Sequence, residues 1–170
     1  PVTALQIEYS LVERTPDREL LPMAQAFGLG VLGWSPLGGG LLTGKYRRGE
    51  GGRADTFTRL IHSESDDARK AAILDAVLDV ASQTGLSPIV VSLAWMAAQG
   101  VLPILGARTA EQLGESLAAA GVDLAPDHVA RLDGVSAVPL GFPHEMIASR
   151  RGVLDAGLGD RVEQPHQPVA

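Results

Sequence analysis

The chain contains no cysteine. Disulfide frameworks, thiolate metal sites and thiol nucleophiles are therefore excluded. Basic residues are scarce. Lys and Arg number 14 against 20 Asp and Glu, the net charge is −6, and Lys45 and Lys70 are the only lysines. No basic stripe forms, which argues against nucleic acid and anionic membranes as partners. The longest apolar run, Ile89 to Ala98 broken by Ser92, is too short to span a bilayer. The N-terminal residues lack a basic stretch leading into an apolar one, so no signal peptide is expected and the cytoplasm is the default location. Strand-like sequence begins almost at Pro1, which suggests that something upstream is missing; a chain processed after an initial Met would look the same.

What is present fits one soluble globular domain. The 170 residues are 45% hydrophobic and 20% charged, with mean hydropathy +0.12, enough to bury a core. Ala4 to Tyr9 reads as a strand. Thr15-Pro16 has the form of a helix N-cap followed by proline in the first turn. Leu20, Leu21, Ala24 and Phe27 supply that helix's apolar face, and Gly28 its end. Leu29 to Trp34 is continuous and apolar, as in a strand buried on both faces. Residues 35–64 read as one long loop, of the kind that is usually functional or mobile.

Ser65, with Asp66 and Asp67 behind it, opens a helix whose stripe is Ala72, Ile73, Ala76, Val77 and Val80, closed by Gly85. Ser87-Pro88 caps the next helix, apolar nearly all round through Ala98 and so expected to be buried. Val101 to Leu105 is a third strand. Thr109-Ala110-Glu111-Gln112 has capping-box form, with Leu113 and Leu117 on one face of the helix it opens. Pro126 to Val135 is a further helix with Val129 and Leu132 inward. From Arg150 to Ala170, Gly, Pro and polar residues predict a poorly ordered tail. Strands alternating with helices imply a parallel sheet of βαβ units. Three strands cannot close a barrel and leave two open edges.

Two stretches suit an anionic ligand. Gly38, Gly39 and Gly40 directly follow a strand, where backbone N–H groups can meet an anion; taken alone, the triplet reads more readily as a plain βα loop, and it is not a G-x-G-x-x-G fingerprint. Gly106 to Gln112 combines a strand end, Arg108 and a capped helix N-terminus; Arg108 taken alone reads equally as a solvated surface arginine. If Trp34 and Leu105 end neighbouring strands, both stretches fall on one rim.

Three segments, Gln6 to Arg14, Trp34 to Tyr46 and Pro103 to Ser116, carry a resemblance. Their order and content resemble the aldo-keto reductase family, in the branch with bacterial reductases and potassium-channel β-subunits, over about Thr3 to Val138. The resemblance implies a partial (β/α)₈ TIM barrel, about the last three β/α units plus C-terminal helices, over residues 1–149. It implies NADP(H) as cofactor and a small-molecule carbonyl as substrate once an N-terminal half completes the barrel. Gln6 matches the residue that bonds the nicotinamide carboxamide, and Trp34 the aromatic that stacks on its ring. Ser35, Pro36, Leu37, Gly38 and Gly40 match the pyrophosphate loop, with Lys45 flanking it. Gly106 and Arg108 match the segment facing the adenosine 2′-phosphate, and Gln112 and Glu115 positions around the adenosine. Ser116 stands where the family usually has Asn, and Leu105 where Pro is frequent.

The family protonates its substrate with a Tyr aided by Lys, Asp and His, all in the half of the barrel that the resemblance does not cover. Tyr9 and Tyr46 are the only tyrosines, and both lie inside the matching motifs. Lys45 and Lys70 match no catalytic position, and His62, His128, His144 and His166 lie in no motif. No catalytic residue and no metal ligand is expected. Two readings follow: the cofactor side of a carbonyl reductase, inactive alone, or a non-catalytic NADP(H)-binding or interaction module. Self-association through the open sheet edges is a further expectation, and residues 47–64 with Gly141 to Met146 are expected to shape substrate choice.

Overall fold

The computed structural model describes residues 2–45 and 67–161. Among the described residues, three parallel strands run β1 (Ala4–Glu8), β2 (Gly30–Trp34) and β3 (Val101–Pro103), neighbours in that order. Gln6 pairs with Leu32 and Leu32 with Leu102 across the sheet; Glu8 pairs with Trp34. β3 is an edge strand, where a proline is tolerated, and Pro103 closes it. The pairing still reaches one residue further, with Ile104 N–H donating to the Gly33 carbonyl at 2.8 Å.

The crossovers are helical. A 3₁₀ turn (Thr15–Arg18) and α1 (Leu20–Ala26) join β1 to β2. Thr15 therefore does not cap α1, which starts five residues later, and Leu20 and Phe27 are exposed rather than inward. Gly28 ends the helix as expected, in the left-handed region at φ +64°. A second 3₁₀ segment (Gly38–Thr43) lies inside the stretch expected to be loop.

Helices α2 (Asp67–Thr84) and α3 (Pro88–Ala98) lead back to β3. The expected start at Ser65 and Asp66 lies outside the described residues. On α2, Ile73, Ala76, Val77 and Val80 are buried, whereas Ala72 is exposed. The Ser87 side chain accepts from Val90 N–H, and Val90 to Met96 are buried as an all-round apolar helix requires. After β3 come α4 (Ala110–Leu117), α5 (Pro126–Ser136) and α6 (His144–Leu154). On α5, Leu132 is fully buried and Val129 packs against the core. The tail expected from Arg150 is helical to Leu154 and has a 3₁₀ turn at Gly159–Arg161. Residues 162–170 lie outside the described residues.

The core sits on one face of the sheet only. Ile7, Val31 and Val101 point to the helices and join Ile73, Val77, Val91, Trp95 and Leu132. Among the described residues, the other face is open. Gln6, Trp34 and Leu102 are exposed on it, Leu102 at 66% of its surface. The expectation that β2 is buried on both faces therefore fails. Its apolar composition suits the inside of a closed barrel, and three strands present that inside to solvent. Among the described residues, no single helix is long and apolar enough to cross a membrane.

Candidate functional site

The glycine loop begins with strain. Ser35, directly after β2, has φ +52°, a conformation that costs a non-glycine residue about 1–3 kcal/mol. Gly38, Gly39 and Gly40 follow at +55°, +66° and +99°, where glycine carries no such cost. The loop is laced by its own backbone: Gly38 N–H donates to Ser35, and Gly40 and Leu42 N–H to Leu37. Thr43 Oγ1 donates to the Gly40 carbonyl at 2.7 Å, and Leu42 is fully buried as the anchor. A side chain at Gly39 would meet nothing within 4 Å, whereas a Cβ at Gly38 would lie 2.6 Å from Val12 Cγ2.

The second arm is the start of α4. Thr109 Oγ1 accepts from Gln112 N–H at 3.2 Å, half of the expected capping box. The reciprocal bond is displaced by one residue: Gln112 Oε1 accepts from Arg108 N–H at 3.0 Å, not from Thr109. This fixes the Arg108 backbone against the positive end of the helix. Leu113 and Leu117 are exposed, so this helix turns no buried stripe inward.

The two arms line one cleft of about 570 Å³. Nine of the twelve predicted residues line it: Ser35, Pro36, Leu37, Gly40, Lys45, Gly106, Arg108, Gln112 and Glu115. Gly38 instead backs onto Val12. Gln6 and Trp34 lie on the open sheet face, diagonal to one another on paired strands. The cleft also takes Gly39, Thr43, Ile89, Ile104, Leu105, Ala107 and Ser116. Ile89 carried no signal in the sequence, because it belongs to a helix that is apolar throughout. The Ser116 hydroxyl donates to the Gln112 carbonyl at 2.9 Å, so it serves its own helix.

The donor set suits an extended anionic ligand. Two cations, a helix N-terminus and a glycine loop face one space that, among the described residues, holds a single carboxylate, Glu115. Leu37, Ile89, Ile104 and Leu105 supply apolar wall for a flat ring. A second cleft, about 610 Å³ beside β1, offers the opposite field: Glu8, Glu13 and Glu19 line it with one arginine, Arg18.

Tyr9 is fully buried on the helix side, stacked on Trp95 with ring centroids 5.6 Å apart. Burial raises its phenol above the ordinary range, and the Asp17 and Asp133 carboxylates add to that against Arg14. Tyr9 is thus turned away from the open face and poorly placed to give up a proton. His128 and His144 do not line the cleft; Tyr46, His62 and His166, with residues 47–64, lie outside the described residues.

The sequence model of the aldo/keto reductase family matches residues 1–137. The uncharacterized oxidoreductase YrpG of Bacillus subtilis is 37% identical over 145 residues, covering 84% of this chain and 43% of that protein. The aldo-keto reductase str7 of Strobilurus tenacellus is 36% identical, covering 97% of this chain and 50% of its own. Among solved structures, the glycerol dehydrogenase AKR11B4 of Gluconobacter oxydans superposes with a TM-score of 0.68 at 25% identity, over 78% of this chain and 41% of that one. The chain thus spans about half the length of the curated relatives it matches. The three-stranded sheet with its helices is a part of their barrel, and the chain belongs to the aldo/keto reductase family.

Proposed function

We propose that this chain is the cofactor-holding side of an NADPH-dependent carbonyl reductase that works in the cytoplasm. The observation that carries the reading is the single cleft shared by the glycine loop and the Arg108 helix end. Bound NADPH would supply a hydride to an aldehyde or ketone. The chain's own residues would bind and orient it. The Gly39 backbone with Lys45 suits the pyrophosphate, since the Gly40 N–H is already held by the Leu37 carbonyl, and Arg108 suits a 2′-phosphate as a charged, bidentate donor. Gln6 and Trp34 share the open sheet face, where an amide and a ring could hold the nicotinamide.

Proton delivery is a separate requirement. The one described tyrosine is buried away from the open face, which favours the second reading, a module that binds NADP(H) without turnover. In the first reading the carbonyl substrate is met only when an N-terminal half completes the barrel.

Titration with NADPH, read by quenching of Trp34 fluorescence with Trp34→Phe as control, tests the binding. Saturable quenching is expected. Arg108→Leu is expected to weaken NADPH by about 10–100-fold while leaving NADH nearly unchanged, the loss of one charged pair. Equal weakening of both cofactors would remove the 2′-phosphate assignment. Turnover of a carbonyl by the isolated chain would overturn the claim that the proton donor lies elsewhere.

A further inference from the structure

The floor of the glycine loop is Val12. Its Cγ2 packs so closely under Gly38 that a Cβ there would approach to 2.6 Å. Val12 belongs to the turn that follows β1 and is itself buried. Ser10 and Glu13 close that turn by exchanging backbone hydrogen bonds at 3.1 Å, and Ser10 Oγ accepts from Val12 N–H. The residue just before the turn, Tyr9, reaches the nicotinamide end of the proposed site, its N–H donating to the Trp34 carbonyl at 3.3 Å.

The turn is clamped from outside the sheet. Arg69, in the first turn of α2, donates from Nη2 to the Val12 carbonyl at 2.6 Å and from Nη1 to the Ser136 carbonyl at 3.2 Å. One planar guanidinium thus ties the floor of the loop to the end of α5. Arg14 closes the other side. It donates to Ser136 Oγ at 2.6 Å and lies 4.9 Å over the Trp95 ring. Arg69 itself does not line the cleft.

We infer that Arg69 is a positioning residue for the glycine loop, acting through the Val12 carbonyl to hold the loop's backbone in its anion-receiving shape. The inference rests on the proposed NADP(H) site and names how that site is kept in place. A charged donor on a part-buried carbonyl is among the stronger hydrogen bonds, and its removal takes that partner from the Val12 carbonyl. Loosening the floor costs the ligand the pre-organisation that the left-handed glycines provide.

The test uses the full chain and Arg69→Met, Arg69→Lys and Val12→Ala. Amide hydrogen exchange is read at Gly38–Leu42, with Val91–Met96 on α3 as the reference for intact folding. Affinities are read for NADPH and for adenosine 2′,5′-bisphosphate, which reaches the Arg108 arm but carries no pyrophosphate bridge. Arg69→Met is expected to speed exchange in the loop and not in α3. It is expected to weaken NADPH about tenfold while adenosine 2′,5′-bisphosphate stays within about twofold. Arg69→Lys recovers part of the loss, since an ammonium can serve one of the two carbonyls, and Val12→Ala reproduces the loosening with the charge retained. Unchanged loop exchange in Arg69→Met, or an equal fall for both ligands, overturns the inference. If the wild-type chain binds neither ligand, the proposed function fails, and the exchange arm alone still decides whether Arg69 braces the loop.

Discussion

Glu8 shows how a single residue reports the open face. It sits at the end of β1, paired with Trp34. Partial burial raises its carboxyl above the ordinary glutamate range, and the Glu13 charge adds to that. A group whose native pKa is raised binds its proton more tightly in the folded state. The charge therefore works against folding as pH rises above the unfolded value, about 4.3, and the penalty disappears below it. Glu8→Gln is expected to raise the unfolding temperature at pH 7 by the equivalent of no more than about 1 kcal/mol, because water still reaches the carboxyl. The gain should vanish near pH 3.5 in thermal melts. A lower melting temperature at pH 7 would show that the charge is satisfied by something else.

Single residues were also where the sequence spoke unevenly. Arg108 was legible because Thr109 and Gln112 have helix-start chemistry at fixed spacing, and that chemistry survives folding almost intact. Ser35 was legible as a loop residue, but its positive φ was not, since nothing in the Ser-Pro pair demands a left-handed backbone. Ile89 joins the cleft wall only because the first turn of α3 lies beside the glycine loop, a tertiary fact with no local signature.

At the scale of elements, the two kinds of helical glycine and strand glycine part company. Gly33 in β2 faces the helices, and a Cβ there would lie 2.9 Å from Val101 Cγ1 and 3.0 Å from Met96 Sδ. Both neighbours are buried, so they have little room to give. Gly33→Ala is expected to destabilise the chain by about 1–3 kcal/mol through overpacking. Gly114, inside α4, has nothing within 4 Å of its would-be Cβ. Gly114→Ala is expected to stabilise by up to about 1 kcal/mol, because alanine gives up less backbone freedom in a helix. Denaturant melts of the two variants should therefore move in opposite directions. Movement in the same direction would mean that β2 does not press on α3 as closely as this.

The elements themselves were legible where periodicity and caps agreed. Ser87 capping α3, Gly28 ending α1 and Leu132 anchoring α5 all follow from residue chemistry that acts within a turn or two. The start of α1 was misread because Thr15-Pro16 has the composition of a helix start, yet the first turn there is 3₁₀ and the Glu13 carboxylate accepts from Thr15 N–H. β2 was read as buried on both faces because composition records the environment a strand is suited to, not whether that environment is supplied.

That last mismatch governs the whole molecule. Leu32, Trp34, Leu102 and Ile104 line a face that a complete barrel of about 250 residues would fill from its other strands. Among the described residues the face is open, with β1 and β3 at the sheet's edges. Apolar area and unpaired strand edges drive association in the same direction. The isolated chain is therefore expected to self-associate, with a sedimentation coefficient that rises with concentration. Leu102→Lys is the discriminating variant. Leu102 is 66% exposed, so a lysine there should leave the core intact while setting like charges against one another across any face-to-face pairing. It is expected to shift the chain toward monomer without lowering its unfolding midpoint. A wild-type chain that sediments as a monomer at all concentrations, with a sharp and concentration-independent unfolding transition, would mean that half a barrel can leave its inside in water.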